Sequence, residues 1–228
     1  MTLLFVAHGS PAPAYRAEAE AFLAAWQLNY PGMDAQLSYI EMEPLFADVL
    51  QLLTEPILVM PLFLHEGKHY REDVLAVAQA SGTQVHMLPA LTNLQVMADL
   101  LQASCANEHL QNAHMVLFTH GAGGAKAQAA IQALATTFEA RTQRPCSIAL
   151  AMGEPSLQQT LTHVAQAGAK QIQIVPHFIF GGAWQVKAQL SMDVVMSQFG
   201  CQIQLGTPLH ANPLLLKAIS HLLSIHNP

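Results

Sequence analysis

The chain has 228 residues, 52% hydrophobic and 11% charged, with a net charge of −6 counting histidine as neutral, which is ample for one or two domains with a large core. Nine scattered Lys and Arg make no basic stripe, which excludes a nucleic-acid partner, while the acidic balance attracts cations. Cys105, Cys146 and Cys201 form no C-x-x-C and no disulfide framework, and no stretch approaches the roughly 20 apolar residues of a membrane span, so the expectation is a cytoplasmic protein with no leader and no membrane partner.

In chain order, "TLLFVAH" reads as a buried strand stopped by a His-Gly-Ser turn. "YRAEAEAFLAAWQLNY" follows as a helix with Ala19, Phe22, Leu23 and Trp26 on one face, broken at Pro31-Gly32. "DAQLSYIEM" is a second strand, and "PLFADVLQLLTE" a helix with Pro44 suited to its first turn. "PILVMPLFL" is a third strand, "YREDVLAVAQAS" a helix ended by Gly82, and "QVHMLPAL" a fourth strand. Continuously apolar strands alternating with helices imply a parallel sheet covered on both faces.

The pattern then restarts. "HMVLFTHGAGG" echoes "TLLFVAHGS", "CSIALAMGEPSLQQTL" echoes "AQLSYIEMEPLFADVL", and "QIQIVPHFIFGGAWQVKAQL" echoes "PILVMPLFLHEGKHYREDVL". The offsets are 112 from His8 to His120, 111 from Glu43 to Glu154 and 115 from Pro61 to Pro176. Such ordered matches predict a duplicated unit: an α/β, doubly wound fold of two tandem similar units, residues 1–108 and 112–228, with mainly parallel sheets and a cleft between them. The linker is expected near residues 101–114.

Twelve histidines are many for this composition, and "HEGKH" (His65–His69) matches H-E-x-x-H, the zinc-protease pattern. That chemistry needs both histidines on one face of a regular helix. Here the motif directly follows a strand and contains Gly67, and the helix is expected to begin after it, near Tyr70. The repeat offers only "FGGAW" in its place. His65 therefore reads as a polar loop residue, and the protease reading is set aside. His177, on an apolar strand, reads as a core histidine.

His8, Glu43 and His69 instead each lie just past a predicted strand. In an open parallel sheet the residues beyond the carboxyl ends converge on the ligand-binding edge. Two imidazoles and a carboxylate suit a divalent transition metal and also accept protons.

On "LLFVAHGS", "EMEP" and "VMPLFLHEGKHYREDV" the sequence resembles the CbiX/SirB-type sirohydrochlorin chelatases, class II tetrapyrrole chelatases, in their long form of two fused units. The resemblance implies a chelatase-like fold and a lyase-type enzyme that inserts Co²⁺ or Fe²⁺ into sirohydrochlorin, towards sirohaem or cobalamin. It also implies that His8 and His69 handle the metal with Glu43 as acidic partner, His8, Glu43 and His69 being catalytic residues too. The metal is a substrate and no tightly bound cofactor is expected. The first half would be the catalytic one. The second keeps His120 and Glu154 but has Trp184 in place of His69, either a wall for the macrocycle or plain packing, and so reads as a degenerate repeat. Fused units imply a monomer whose partner is the tetrapyrrole. Arg16, Lys68, Arg71, Lys126 and Lys187 lie near predicted strand ends as possible partners of substrate carboxylates. The competing readings are a non-catalytic metal or tetrapyrrole carrier on the same fold, and a protoporphyrin ferrochelatase.

Overall fold

Strand β1 (Thr2–Ala7) is buried along its whole length because both neighbours are strands: β2 (Ala35–Tyr39) and β3 (Ile57–Pro61), each parallel to it. With β4 (Val85–Met87) they form a sheet of order β2-β1-β3-β4. The structure, a computed structural model, describes residues 1–54, 56–91, 97–105, 112–121 and 124–226. The second sheet has the same order, β6-β5-β7-β8, from β5 (His114–Thr119), β6 (Cys146–Leu150), β7 (Gln171–His177) and β8 (Gln202–Leu205), again all parallel. Two four-stranded parallel sheets with flanking helices are the duplicated α/β fold expected from the repeat.

Helices cover the sheets through apolar stripes. On α1 (Pro13–Asn29) the buried positions are Tyr15, Ala19, Phe22 and Trp26, with Leu23 only half-buried. Phe5 on β1 meets Phe22 and Trp26 edge to face at 5.2 and 5.3 Å, pairs worth about 0.5–1.5 kcal/mol each beyond area burial. Helix α2 (Phe46–Leu52) begins after Leu45, so Pro44 lies ahead of the helix rather than in its first turn. The Glu43–Pro44 and Glu154–Pro155 peptide bonds are both cis. After β3 the chain makes a π-helical turn (Tyr70–Leu75) that continues into α3 (Ala76–Ala80). In the second sheet's unit, α5 (Ala125–Thr142), α6 (Leu157–Gln166) and α7 (Ala183–Phe199) take the corresponding places. A capping box of Ser156 and Gln159 starts α6, and Gly200, at φ 63°, ends α7.

The compact units differ from the sequence repeats at two helices. One unit is Met1–Gln95 with Pro213–Pro228, the other Val96–Asn212. The expected boundaries at 108 and 112 thus do not mark the spatial division; residue 108, and residues 106–111 of the expected linker, lie outside the described residues. The linker also overlaps α4 (Met97–Ala103), which joins the second unit. There Asn212 Nδ2 donates to the Leu100 carbonyl at 3.2 Å and Arg141 pairs with Asp99. The last helix, α8 (Pro213–His226), joins the first unit and buries Leu215, Leu216, Ala218, Ile219, Leu222 and Leu223. Among the described residues, no helix is long and apolar enough to cross a membrane.

Candidate metal site at the carboxyl edge of the first sheet

In the first sheet β1 is followed leftward to β2 and then rightward to β3, so the strand order reverses between β1 and β3. Ligands in such sheets bind outside the strands' carboxyl ends at that reversal. His8 directly follows β1, and His69 comes from the segment after β3. Their rings meet edge to face, centroids 4.7 Å apart.

The carboxylate that joins them is Glu41. One ligand atom from each of His8, Glu41 and His69 lies within 4.8 Å of the others. His8 Nδ1 is 3.5 Å from Glu41 Oε2. Glu43, expected as the acidic partner, is not the carboxylate the fold delivers. The parallel ladder of β1 and β2 runs on past the strand ends: the Ile40 amide donates to the Ala7 carbonyl at 3.1 Å and the Glu41 amide to the His8 carbonyl at 3.0 Å. That carries Glu41 alongside His8. Glu43 sits on the returning arm of the turn, where its Oε2 accepts from the Leu45 amide at 3.2 Å. Two carboxylates two residues apart read alike in sequence; only the path of the turn separates them.

The turn that presents His8 is held from behind. Gly9 has φ +95°, a conformation that favours glycine, and a Cβ there would stand 2.8 Å from Met42 Cγ. The Gly9 amide donates to the Tyr15 hydroxyl at 3.1 Å. Burial pushes the Tyr15 phenol up to about 12, against the opposing Gly9 amide, so it stays a neutral hydroxyl. Sequence reasoning missed Tyr15 because it reads only as one more apolar residue of α1. His8 Nδ1 lies 3.0 Å from the Gly9 carbonyl, which can only accept. His69 stands just ahead of the π-helical turn with helical φ/ψ of −58° and −42°, and its Nδ1 is 2.7 Å from Asp73 Oδ2.

"HEGKH" does not act as one helical unit. His65 lies in a bend before Gly67, whereas His69 borders the helical turn, and the three-residue group contains His69 without His65 or Glu66. The zinc-protease arrangement is absent from this segment. His177 is buried, its Nδ1 3.2 Å from Thr119 Oγ1, as the core reading expects.

The second unit keeps the backbone of the site and, of the three groups, only the histidine. The Ala151 and Met152 amides donate to the Thr119 and His120 carbonyls, both at 2.8 Å, repeating the first unit's ladder. Met152 thus holds the place of Glu41 and is 62% exposed. Glu154 Oε2 accepts from the Ser156 amide at 3.1 Å, as Glu43 does in the first unit. Trp184 is core: its Nε1 donates to the Phe180 carbonyl at 2.9 Å and its ring stacks on Phe178 at 4.5 Å and 11°. His120, exposed, is left without a partner imidazole or carboxylate set; among the described residues His8, Glu41 and His69 form the one such three-residue group.

Of the cations, Arg16 reaches the turn beside the site, Nη2 donating to the Glu43 carbonyl at 2.7 Å. Arg71 Nη1 donates to the Glu66 carbonyl at 3.1 Å, and Lys68 pairs with Glu72 at 3.8 Å. Lys126 and Lys187 lie exposed on α5 and α7. Two imidazoles and a carboxylate, all partly open to solvent, can hold a divalent transition metal with positions left free, and can take up protons at the same place.

The sequence profile of the CbiX family matches residues 2–108 and, a second time, residues 114–225. No curated protein matches the sequence. Among solved structures the fold is similar to that of CbiX, described as the terminal enzyme for biosynthesis of siroheme in denitrifying bacteria, at 19% identity and a TM-score of 0.77 over 99% of each chain. It is similar to the sirohydrochlorin chelatase SirB from Bacillus subtilis subspecies spizizenii in complex with cobalt, at 16% identity and 0.76 over 98% of this chain and 94% of that one. SirB from Bacillus subtilis with Fe³⁺ gives 17% identity and 0.76 over 98% and 95%. At these identities the likeness is one of fold.

Proposed function

We propose, since the chain belongs to the CbiX family, that it is a sirohydrochlorin chelatase, inserting Co²⁺ or Fe²⁺ into the free-base tetrapyrrole. The observation that carries this reading is the convergence of His8, Glu41 and His69 at the carboxyl edge of the first sheet. SirB, with cobalt or Fe³⁺ bound, has the same fold, which supports placing a metal on this scaffold.

The reaction sets the demands. Placing M²⁺ in the macrocycle expels two N–H protons, so the site must release an ion and accept protons in the same place. His8, Glu41 and His69 are too few to enclose the ion, which leaves coordination positions for the macrocycle nitrogens. Neutral imidazole both donates a lone pair to a metal and takes a proton near pH 7. Glu41 offsets the cation's charge and is a second acceptor. The first unit performs the chemistry, since the second has Met152 and Trp184 where the first has Glu41 and His69.

An absorbance assay with sirohydrochlorin and each metal in turn tests this. Metallation faster than the uncatalysed rate, and lost in His8→Ala and His69→Ala, supports the chelatase. Metallation of one equivalent at most supports the carrier reading, and metallation of protoporphyrin in preference to sirohydrochlorin supports a ferrochelatase.

A further inference from the structure

We propose that Asp73 is the positioning residue of the metal site, fixing which nitrogen of His69 faces the ion. The inference rests on the reading of His69 as a metal ligand. His69 Nδ1 and Asp73 Oδ2 are 2.7 Å apart. An ionised carboxylate only accepts, so Nδ1 carries the hydrogen, and in the neutral ring the lone pair is on Nε2. Asp73 thus holds one tautomer and one ring orientation.

The local structure makes this a constraint. His69 and Asp73 are four residues apart at the start of a helical segment, where such positions lie over one another. Their side chains are 48% and 47% exposed; the His8 ring meets the imidazole on one side, and the hydrogen bond to Asp73 sets which nitrogen it presents. An exposed pair of this kind contributes little to folding stability, which leaves orientation as its effect. Neighbouring carboxylates do not duplicate it: Glu72 pairs with Lys68, and Glu41 belongs to the ligand group. The second unit is the internal comparison. At the same offset of 115, Trp184 and Ala188 stand where His69 and Asp73 stand, and both are buried in its core. The unit without the imidazole is also without its carboxylate. A carboxylate behind a ligating imidazole fixes the ring's tautomer and orientation, and its loss costs about 10–100-fold in metal affinity in sites of this kind.

The test uses the full chain with Co²⁺ alone, read by calorimetry, together with ¹⁵N NMR of the His69 ring. Asp73→Ala is expected to weaken Co²⁺ binding by about 10–100-fold, to lose the single Nδ1–H tautomer, and to raise KM for metal more than it lowers kcat. Asp73→Asn keeps an acceptor oxygen and is expected to recover most of the affinity and the tautomer. The thermal midpoint of both variants should stay near that of the wild type. Unchanged Co²⁺ affinity and tautomer in Asp73→Ala overturn the proposal, as does an Asp73→Asn variant no better than Asp73→Ala. His69→Ala separates the two readings. If it leaves Co²⁺ binding intact, the metal-ligand reading itself falls; if it abolishes binding while Asp73→Ala does not, only the positioning role falls.

Discussion

His8 and His69, 61 positions apart in the chain, stand with ring centroids 4.7 Å apart at an interplanar angle of 80°. The parallel pairing of β1 with β3 produces this: both strands end at the same edge, and each histidine follows its own strand. On the proposed reading, removing either imidazole takes away a ligand and a proton acceptor together. His8→Ala and His69→Ala should each lower metallation of sirohydrochlorin by on the order of 10²-fold or more. His120→Ala should cost far less, because Met152 and Trp184 leave it without a ligand set. Steady-state assays with Co²⁺ and with Fe²⁺ check this; an inactive His120→Ala beside an active His69→Ala would assign the chemistry to the other unit.

Glu41 and Glu43 separate in the same assay. Glu41→Gln should reduce metallation by about 10–100-fold, the scale of losing a charged ligand or positioned base. Glu43→Gln should stay within a few-fold of wild type, because the amide oxygen still accepts from the Leu45 amide. The reverse order would mean that the turn after β2 is rearranged in the working enzyme.

His65→Ala should leave metallation largely intact, since the bend that holds His65 lies outside the three-residue group. A loss as complete as that of His69→Ala would show that "HEGKH" functions as a unit.

His114 makes a pH prediction at the opposite edge of the second sheet. Its Nε2 is 2.9 Å from Ser147 Oγ. Burial holds its imidazole below the ordinary 6.5, nearby His163 lowers it further, and Glu139 opposes them. The unfolded chain therefore binds this proton more readily than the folded one. Stability from the neutral ring is present above 6.5 and is lost as pH falls through the lower folded value. Urea unfolding from about pH 7.5 to about pH 5 should show a falling midpoint. His114→Gln, which keeps a polar partner for Ser147, should flatten that fall; an unchanged slope would contradict the assignment.

The fold was legible because its signals are local. Apolar strands, helices with one buried stripe and three repeated motifs each declare themselves within a few residues. The meeting of His8 and His69 followed from one rule about parallel sheets. The choice of Glu41 over Glu43 was not legible, because it depends on two ladder hydrogen bonds beyond β2 and on the returning arm of a turn. The placement of α4 with the second unit and α8 with the first was not legible either. An apolar stripe such as Leu215, Leu216, Ile219 and Leu222 says that a helix is covered, and nothing about which sheet covers it. A tryptophan in place of a histidine fits a macrocycle wall and plain packing equally well in sequence; only the Trp184 indole's bond to the Phe180 carbonyl and its stack on Phe178 mark it as packing.

The most direct measurement is multiple-turnover metallation, with a small amount of protein, a large excess of sirohydrochlorin and Co²⁺ or Fe²⁺, followed by absorbance. A chelatase built on His8, Glu41 and His69 should form many equivalents of metallated product per chain, and the double variant His8→Ala/His69→Ala should return the rate to that of free metal. Product that stops at one equivalent, or a double variant as active as the wild type, would contradict it.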